Sequence, residues 1–277
     1  MSVFKSVTFD VEHGSSHVLR LPNQAEDVFL FDAGRNQFFS PSEYLKNRWN
    51  VERVKCLILS HHDNDHIEDL DDLKKIKPHI LSTPTVSHDY LLNHYGGSLP
   101  QRLQEFLNFA QEYNVPVPSL DDPSYDWGGV QFAMFSHDEG VHFNLNNLSQ
   151  AVFVKYQGWT ILFPGDLERP GWLEHLNNDA FVENLQSVDI FVASHHGRES
   201  GYCEEVFEVC RPKLVIVSDK STSETSVTEK YTRVSQGMNF TNGKRHVLTT
   251  RADGAIYMEI DNMGRHKIST RYDYLTK

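Results

Sequence analysis

Two strand-rich halves, each accompanied by helical segments, predict an α/β domain in which two sheets pack face to face with helices outside. Short apolar runs recur in both halves, helical periodicity fills the stretch between them, and metal-ligand side chains directly follow three of the runs. At 277 residues the chain is near the size at which one core stops growing. No Pro/Gly/Ser-rich linker divides it, so a single domain over residues 1–277 is expected.

Residues 6–11, 17–21 and 28–32 read as strands joined by turn-prone Gly14-Ser15-Ser16 and Pro22-Asn23, an antiparallel opening. Ser40-Pro41-Ser42-Glu43 then offers a capping box with proline at the first helical position, followed by Tyr44, Leu45 and Trp49 at helical spacing. The apolar run 54–60 predicts a buried strand. Leu103, Phe106, Leu107 and Ala110 form one face of a helix over about 100–113, ended by Pro116 and Pro118. Strands are expected again at 130–135, 151–156, 160–163, 190–193, 214–218, 246–250 and 255–260. Phe4, Phe9, Phe29, Phe31, Phe38 and Phe39 read as core.

The formal net charge of −12 argues against a protein that coats nucleic acid through a broad basic face, although carboxylates assigned to cation binding contribute to that sum. Cys56, Cys203 and Cys210 lack any C-x-x-C spacing, which indicates neither a disulfide framework nor a thiolate zinc site. The region near Met1 does not resemble a secretory signal, and no apolar run approaches the roughly 18 residues that a membrane helix needs. A soluble, cytoplasmic protein is the expectation.

The chemistry is concentrated after the run 54–60, in His61-His62-Asp63-Asn64-Asp65-His66. Read as H-x-D-x-D-H, this loop holds imidazoles and carboxylates close enough to share a pair of divalent cations, which acidify water at neutral pH. Asp65 also fits as the cap of a helix through Ile67-Glu68-Asp69-Leu70. Recurrence favours metal: Gly165-Asp166 follows one apolar run, and His195-His196-Gly197 follows another. A metal-dependent hydrolase is predicted.

Phe9-Asp10-Val11 with Gly14, Phe31-Asp32-Ala33-Gly34, the His61–His66 loop, Asn147-Leu148-Ser149, Gly165-Asp166, His195-His196-Gly197 and Thr250-x-x-Asp253-Gly254-Ala255-Ile256 occur in an order that resembles the metallo-β-lactamase superfamily. The chain is similar over nearly its whole length to the hydrolase domain of ComEC-type DNA-uptake proteins. The resemblance implies an αββα sandwich of two mixed sheets with a dinuclear site at one edge. It implies that His61 and Asp63 hold one metal, Asp65 and His66 the other, and that Asp166 bridges them. The last ligand is His195 or His196; either fits. Asp10 and Asp32 are expected to orient ligand imidazoles, and Asn147 also falls in this supporting set.

The chain departs from the pattern in several places. A histidine common in the superfamily is replaced by the stretch Asn144–Ser149, leaving His137 or His142 as substitutes. His13 stands where the branch has glutamine, and Arg198 stands where a small residue is common. Arg198 beside the metals would meet a phosphate. Asp65 is expected to position the nucleophile as well as ligate, and Asp63 hardens the ligand set toward manganese as well as zinc.

The expected activity is hydrolysis of phosphodiesters in DNA or RNA. A hydrolase of a small cyclic ester, amide or nucleotide is the alternative, and a metal-stabilised binding or partner module with no catalysis is a third possibility. The membrane helices of the uptake proteins have no counterpart here, so a nuclease, rather than DNA transport, is expected.

Overall fold

The computed structural model describes residues 3–113, 120, 125–140, 144–220, 226–241 and 243–270. The first half contributes β1 (Phe4–Thr8), β2 (His17–Arg20), β3 (Val28–Phe31), β4 (Cys56–Ile58) and β5 (Ile80–Ser82). The second contributes β6 (Gln131–Phe135), β7 (Ala151–Tyr156), β8 (Trp159–Phe163), β9 (Ile190–Val192) and β10 (Leu214–Val217). It continues with the hairpin β11 (Met238–Phe240) and β12 (Gly243–Arg245), then β13 (Val247–Thr249), β14 (Ile256–Ile260) and β15 (His266–Thr270).

One sheet has seven strands in the order β15-β14-β1-β2-β3-β4-β5, the other six in the order β13-β10-β9-β8-β7-β6. The two halves are therefore not one sheet each. β14 crosses back to pair antiparallel with β1, Phe4 opposite Ile260, and so covers an edge that would otherwise expose unpaired backbone groups.

The alternation of side chains along each strand sorts the core into three layers. Phe29, Phe31, Cys56 and Ile58 meet Val152, Val154, Ile161 and Ile190 between the sheets. Leu30 and Leu57 point the other way, toward Leu45, Leu73, Leu103 and Phe106 on the helices of the first half. Phe153, Leu162 and Phe191 likewise face Trp172, Phe181 and Phe207. This is an αββα sandwich.

The Ser40 cap forms as the sequence predicts: its hydroxyl accepts the Glu43 amide at 3.0 Å and starts helix Pro41–Trp49. The second amphipathic helix runs Gln101–Ala110, shorter than the expected 100–113. Pro116, Pro118 and His142 lie outside the described residues. Most strands are a residue or two shorter than the apolar runs, because burial continues past the last ladder hydrogen bond. All three cysteines are buried free thiols.

The aromatic stripe requires one correction. Phe4, Phe9, Phe29 and Phe31 are core and Phe39 packs partly against it, but Phe38 is 87% exposed. The turn at Asn36 turns it outward: Asn36 Oδ1 accepts the amides of Phe38 and Phe39 at 2.8 and 2.9 Å.

Within the first sheet β3, β4 and β5 run parallel, and within the second β8, β9, β10 and β13 do. Loops leaving the carboxyl ends of these strands meet along one edge of the sandwich, the place where open α/β sheets bind ligands. No helix among the described residues is long and apolar enough to cross a membrane.

Candidate metal centre

The seven-stranded sheet supplies the first group of donors. After β4 the chain turns through His61 and Asp63 into a single 3₁₀ turn, Asn64–His66. Asp65 sits inside this turn and caps no helix. The next helix begins only at Leu70, and Asp69 before it spends Oδ2 on the Ser42 amide at 2.8 Å. Gly14 lets the first loop lie directly over this turn: its φ is +134°, and a Cβ there would come within 2.5 Å of the Asp65 carbonyl.

The six-stranded sheet supplies the rest. Gly165, with φ +60°, packs so tightly that a Cβ would lie 2.6 Å from Ser60 Cβ and 2.8 Å from Ser149 Oγ. Asp166 follows, its amide held by Ser149 Oγ at 3.0 Å. After β9 the residues His195, His196 and Gly197 adopt left-handed φ values of 50°, 54° and 71° in succession. For two non-glycine residues this is a strained arch, stabilised by the His195 amide on the Gly165 carbonyl at 3.2 Å and by Ser194 Oγ on the Gly165 and Leu167 carbonyls.

Two groups of donors result, His61 with His66 and Asp166, and Asp65 with His66 and His196; within each, the atoms lie within 4.8 Å of one another. Asp166 spans them, with Oδ1 3.5 Å from His66 Nε2 and Oδ2 3.4 Å from His196 Nε2. Asp65 Oδ2 is 3.2 Å from His196 Nε2, and Asp63 Oδ2 is 3.4 Å from His61 Nε2.

The hydrogen-bond pattern fits a cation. His196 Nδ1 donates to the Ser218 carbonyl at 3.1 Å, and His66 Nδ1 donates to Asp32 Oδ2 at 2.9 Å. Ser60 Oγ gives its proton to Asp32 Oδ2 at 3.0 Å and therefore accepts from His61 Nδ1, also at 3.0 Å. Each imidazole thus carries its proton on the outer nitrogen. The inner Nε2 atoms of all three are buried and have no hydrogen-bond partner. Three inward lone pairs around the buried Asp166 and the partly exposed Asp63 and Asp65 make a donor set that could hold a divalent ion.

Without a cation, protons occupy the same place. Burial opposes charge on His196, but Asp166 and Asp65 outweigh it and push its pKa up to about 9. His66 is raised well above its ordinary value for the same reason, burial being outweighed by Asp32, Asp166 and Asp65. Burial would raise Asp166, yet His196 and His66 hold it well below the carboxylate range. Asp63 is likewise brought down to about 2 against its burial, by His61 and by the Tyr95 hydroxyl, which donates to Oδ1 at 2.7 Å.

His195 has a different neighbourhood from His196. It is partly exposed, with Nδ1 within 2.9 Å of Ser200 Oγ and 3.3 Å of Glu168 Oε1, while Nε2 lies 3.3 Å from Arg198 Nη1 and 3.9 Å from Asp166 Oδ2. Burial lowers its pKa, with His196 and Arg198 acting in the same direction and Asp166 opposing. Arg198 therefore stands at the mouth of the site, against His195.

The supporting residues separate. Asp32 also accepts the Ser60 amide at 2.7 Å and ties the ligand loop to β3. Asp10 lines an adjoining cleft, its Oδ1 accepting the Glu12 amide at 3.4 Å. Asn147 Oδ1 accepts the amides of Glu168 and Gly171, both at 3.0 Å, and so fixes the carboxylate beside His195. His137 is engaged elsewhere: Nε2 donates to the Gly171 carbonyl at 3.0 Å and the ring stacks on His175 at 3.7 Å, in neither donor group.

Several neighbours had no role assigned from sequence. His13 brings Nε2 to 3.5 Å from Asp65 Oδ2. Ser60 was legible as the residue before the ligand loop, but Tyr95 and Ser218 carried no signal, being brought in by the fold.

A profile of the metallo-beta-lactamase superfamily matches residues 10–197, well over half of the chain. ComE operon protein 3 of Bacillus subtilis is 25% identical over 226 residues, 76% of this chain and 27% of that protein. Recombination protein 2 of Haemophilus influenzae is 25% identical over 166 residues, 60% of this chain and 18% of that protein. The chain thus spans about a quarter or less of the length of these relatives. Among solved structures, the metallo-beta-lactamase fold protein YhfI from Bacillus subtilis superposes with a TM-score of 0.47 at 14% identity, covering 84% of this chain and 94% of that one. The matched segment runs from Asp10 through the whole His61–His66 loop and Asp166 to Gly197, and so contains every donor described above: this chain belongs to the metallo-beta-lactamase superfamily.

Proposed function

We propose that the protein hydrolyses phosphodiester bonds of nucleic acids or nucleotides with two divalent cations, zinc or manganese, held by His61, Asp63, Asp65, His66, Asp166 and His196. The observation that carries the reading is the set of three orphaned, inward Nε2 atoms arranged around Asp65 and Asp166, with Asp63 beside His61. Such a pair of ions would supply Lewis-acid polarisation of a phosphoryl oxygen and a water acidified toward neutrality.

The protein's own groups do the rest. Asp65, a quarter exposed, faces the opening and orients the attacking water through its carboxylate. Arg198 meets a non-bridging phosphate oxygen and keeps the substrate at the mouth. His195, held at Nδ1 by Glu168 and Ser200, accepts from Arg198 Nη1 at Nε2 and so keeps that guanidinium aimed at the mouth. The carboxylate-rich donor set favours hard metals, and the similarity to ComE operon protein 3 and Recombination protein 2 favours nucleic acid.

The test is metal analysis together with a panel of single-stranded DNA, duplex DNA, RNA, cyclic nucleotides, a lactone and a lactam, using protein loaded with zinc, manganese or magnesium. Close to two ions per chain and cleavage of a nucleic acid or nucleotide are expected. Turnover of the lactone or lactam alone would replace this reading with a small cyclic ester or amide substrate. Metal-loaded protein that cuts nothing would leave a binding module.

A further inference from the structure

A cleft of about 650 Å³ adjoins the metal centre, lined by Phe38, Phe39, Glu12, Glu43, Arg48 and Arg251 among others. Its size is that of a small-molecule site. Two covalent or hydrogen-bonded links tie it to the centre. Glu12 directly precedes His13, whose ring lies 3.5 Å from Asp65. Arg251 lies 3.6 Å from Asp219, next to Ser218, whose carbonyl accepts His196 Nδ1.

Phe38 is the unusual member. A phenyl ring 87% exposed gains nothing from burial, yet it is held on a turn that Asn36 Oδ1 fixes by two amide hydrogen bonds. The two amide bonds fix the backbone that carries the ring, so its face is offered at a defined place over the cleft, where a flat partner can stack on it. The cleft's charge says which flat partner fits. Carboxylates outnumber guanidinium groups along its lining, which disfavours a phosphate inside it and suits amino and imino N–H donors of a base.

We propose that this cleft is a nucleobase subsite. An amino-bearing base, such as guanine or cytosine, stacks on Phe38 and donates to Glu12 or Glu43, while the neighbouring phosphodiester lies at the metal centre. The inference rests on the phosphodiesterase reading for what occupies the centre, but base stacking is measurable without cleavage.

The experiment uses the metal-loaded protein and two short phosphorothioate strands that resist cleavage, one carrying guanine and cytosine and one abasic. Wild type is expected to bind the base-bearing strand ~5- to 150-fold more tightly, the range for one base stacked on an aromatic ring. Phe38→Ala should remove that difference and Phe38→Tyr should keep it, with unchanged melting temperature in both because the ring is exposed. Glu12→Gln should weaken only the base-bearing strand. On cleavable strands Phe38→Ala should raise KM for the base-bearing strand alone. Equal binding of both strands by wild type, or an unaltered difference in Phe38→Ala, overturns the subsite whatever is cleaved. Base-selective binding lost in Phe38→Ala, with no phosphodiester cleaved under any metal, retains the subsite and discards the hydrolytic reading.

Discussion

Asp32 Oδ2 accepts the Nδ1 proton of His66 at 2.9 Å although the two residues are 34 positions apart, and both are buried. Asp32 itself sits at a φ of +57°, so the chain adopts a disfavoured conformation to place this carboxylate. Asp32→Asn should therefore weaken divalent-ion binding by about 10- to 100-fold, the usual effect of losing a carboxylate behind a ligand imidazole. Competition with a chromophoric chelator measures it; unchanged affinity would mean that His66 is oriented by packing alone.

His195 and His196 should separate by two readouts. His196→Ala is expected to lose about one ion per chain by elemental analysis. His195→Ala should keep both ions and raise KM more than it lowers kcat, because Arg198 loses the Nε2 acceptor that positions it. Loss of metal in His195→Ala would reverse the assignment.

The metal-free protein should be pH-sensitive. His196 has an ordinary pKa of 6.5 raised to about 9 when folded, so its contribution is fully present below 6.5 and lost as pH rises through about 9. That is on the order of 3 kcal/mol, read as a falling denaturation midpoint across this window. Saturating metal takes Nε2 in place of the proton and should flatten the profile. Metal binding at pH 7 should also release protons, seen by calorimetry in buffers of different ionisation enthalpy.

Gly165→Ala should destabilise the metal-free protein by about 2–4 kcal/mol, combining a left-handed backbone with a Cβ forced against Ser60 and Ser149. Chemical denaturation measures it. A smaller loss would show that the Ser60 to Gly165 contact relaxes.

Asp166→Asn should abolish hydrolysis and leave circular dichroism close to wild type, since a neutral amide cannot match a carboxylate's charge between two cations. Retained activity would remove Asp166 as the bridge.

Much of the sandwich was legible because strand periodicity is local: the runs containing Phe29 to Phe31 and Val152 to Val154 write their burial directly into sequence. The return of β14 to β1 was not legible, because pairing between distant strands leaves no local mark. The same division holds at the site. His61, Asp63, Asp65 and His66 announce themselves through spacing within one loop, whereas the different surroundings of His195 and His196 come from the left-handed arch that turns one ring inward and the other to the mouth. Phe38 was misread because its composition matches the core, and only the Asn36 turn decides its direction. Tyr95 reaches Asp63 from a helix end that nothing in its neighbouring residues marks.

Neither sheet holds a complete set of donors. Those of the His61–His66 loop hang from the seven-stranded layer, and Asp166 and His196 from the six-stranded one. The pocket therefore behaves as a gauge of how the two layers are registered against each other. Phe31 and Phe163 stack across that boundary, with ring centroids 4.5 Å apart, and interiors packed this densely transmit small displacements. A volume change at either ring, which lies behind Asp166 and His196 and supplies no ligand atom itself, should appear first as altered preference among divalent ions, before the sandwich itself shows damage.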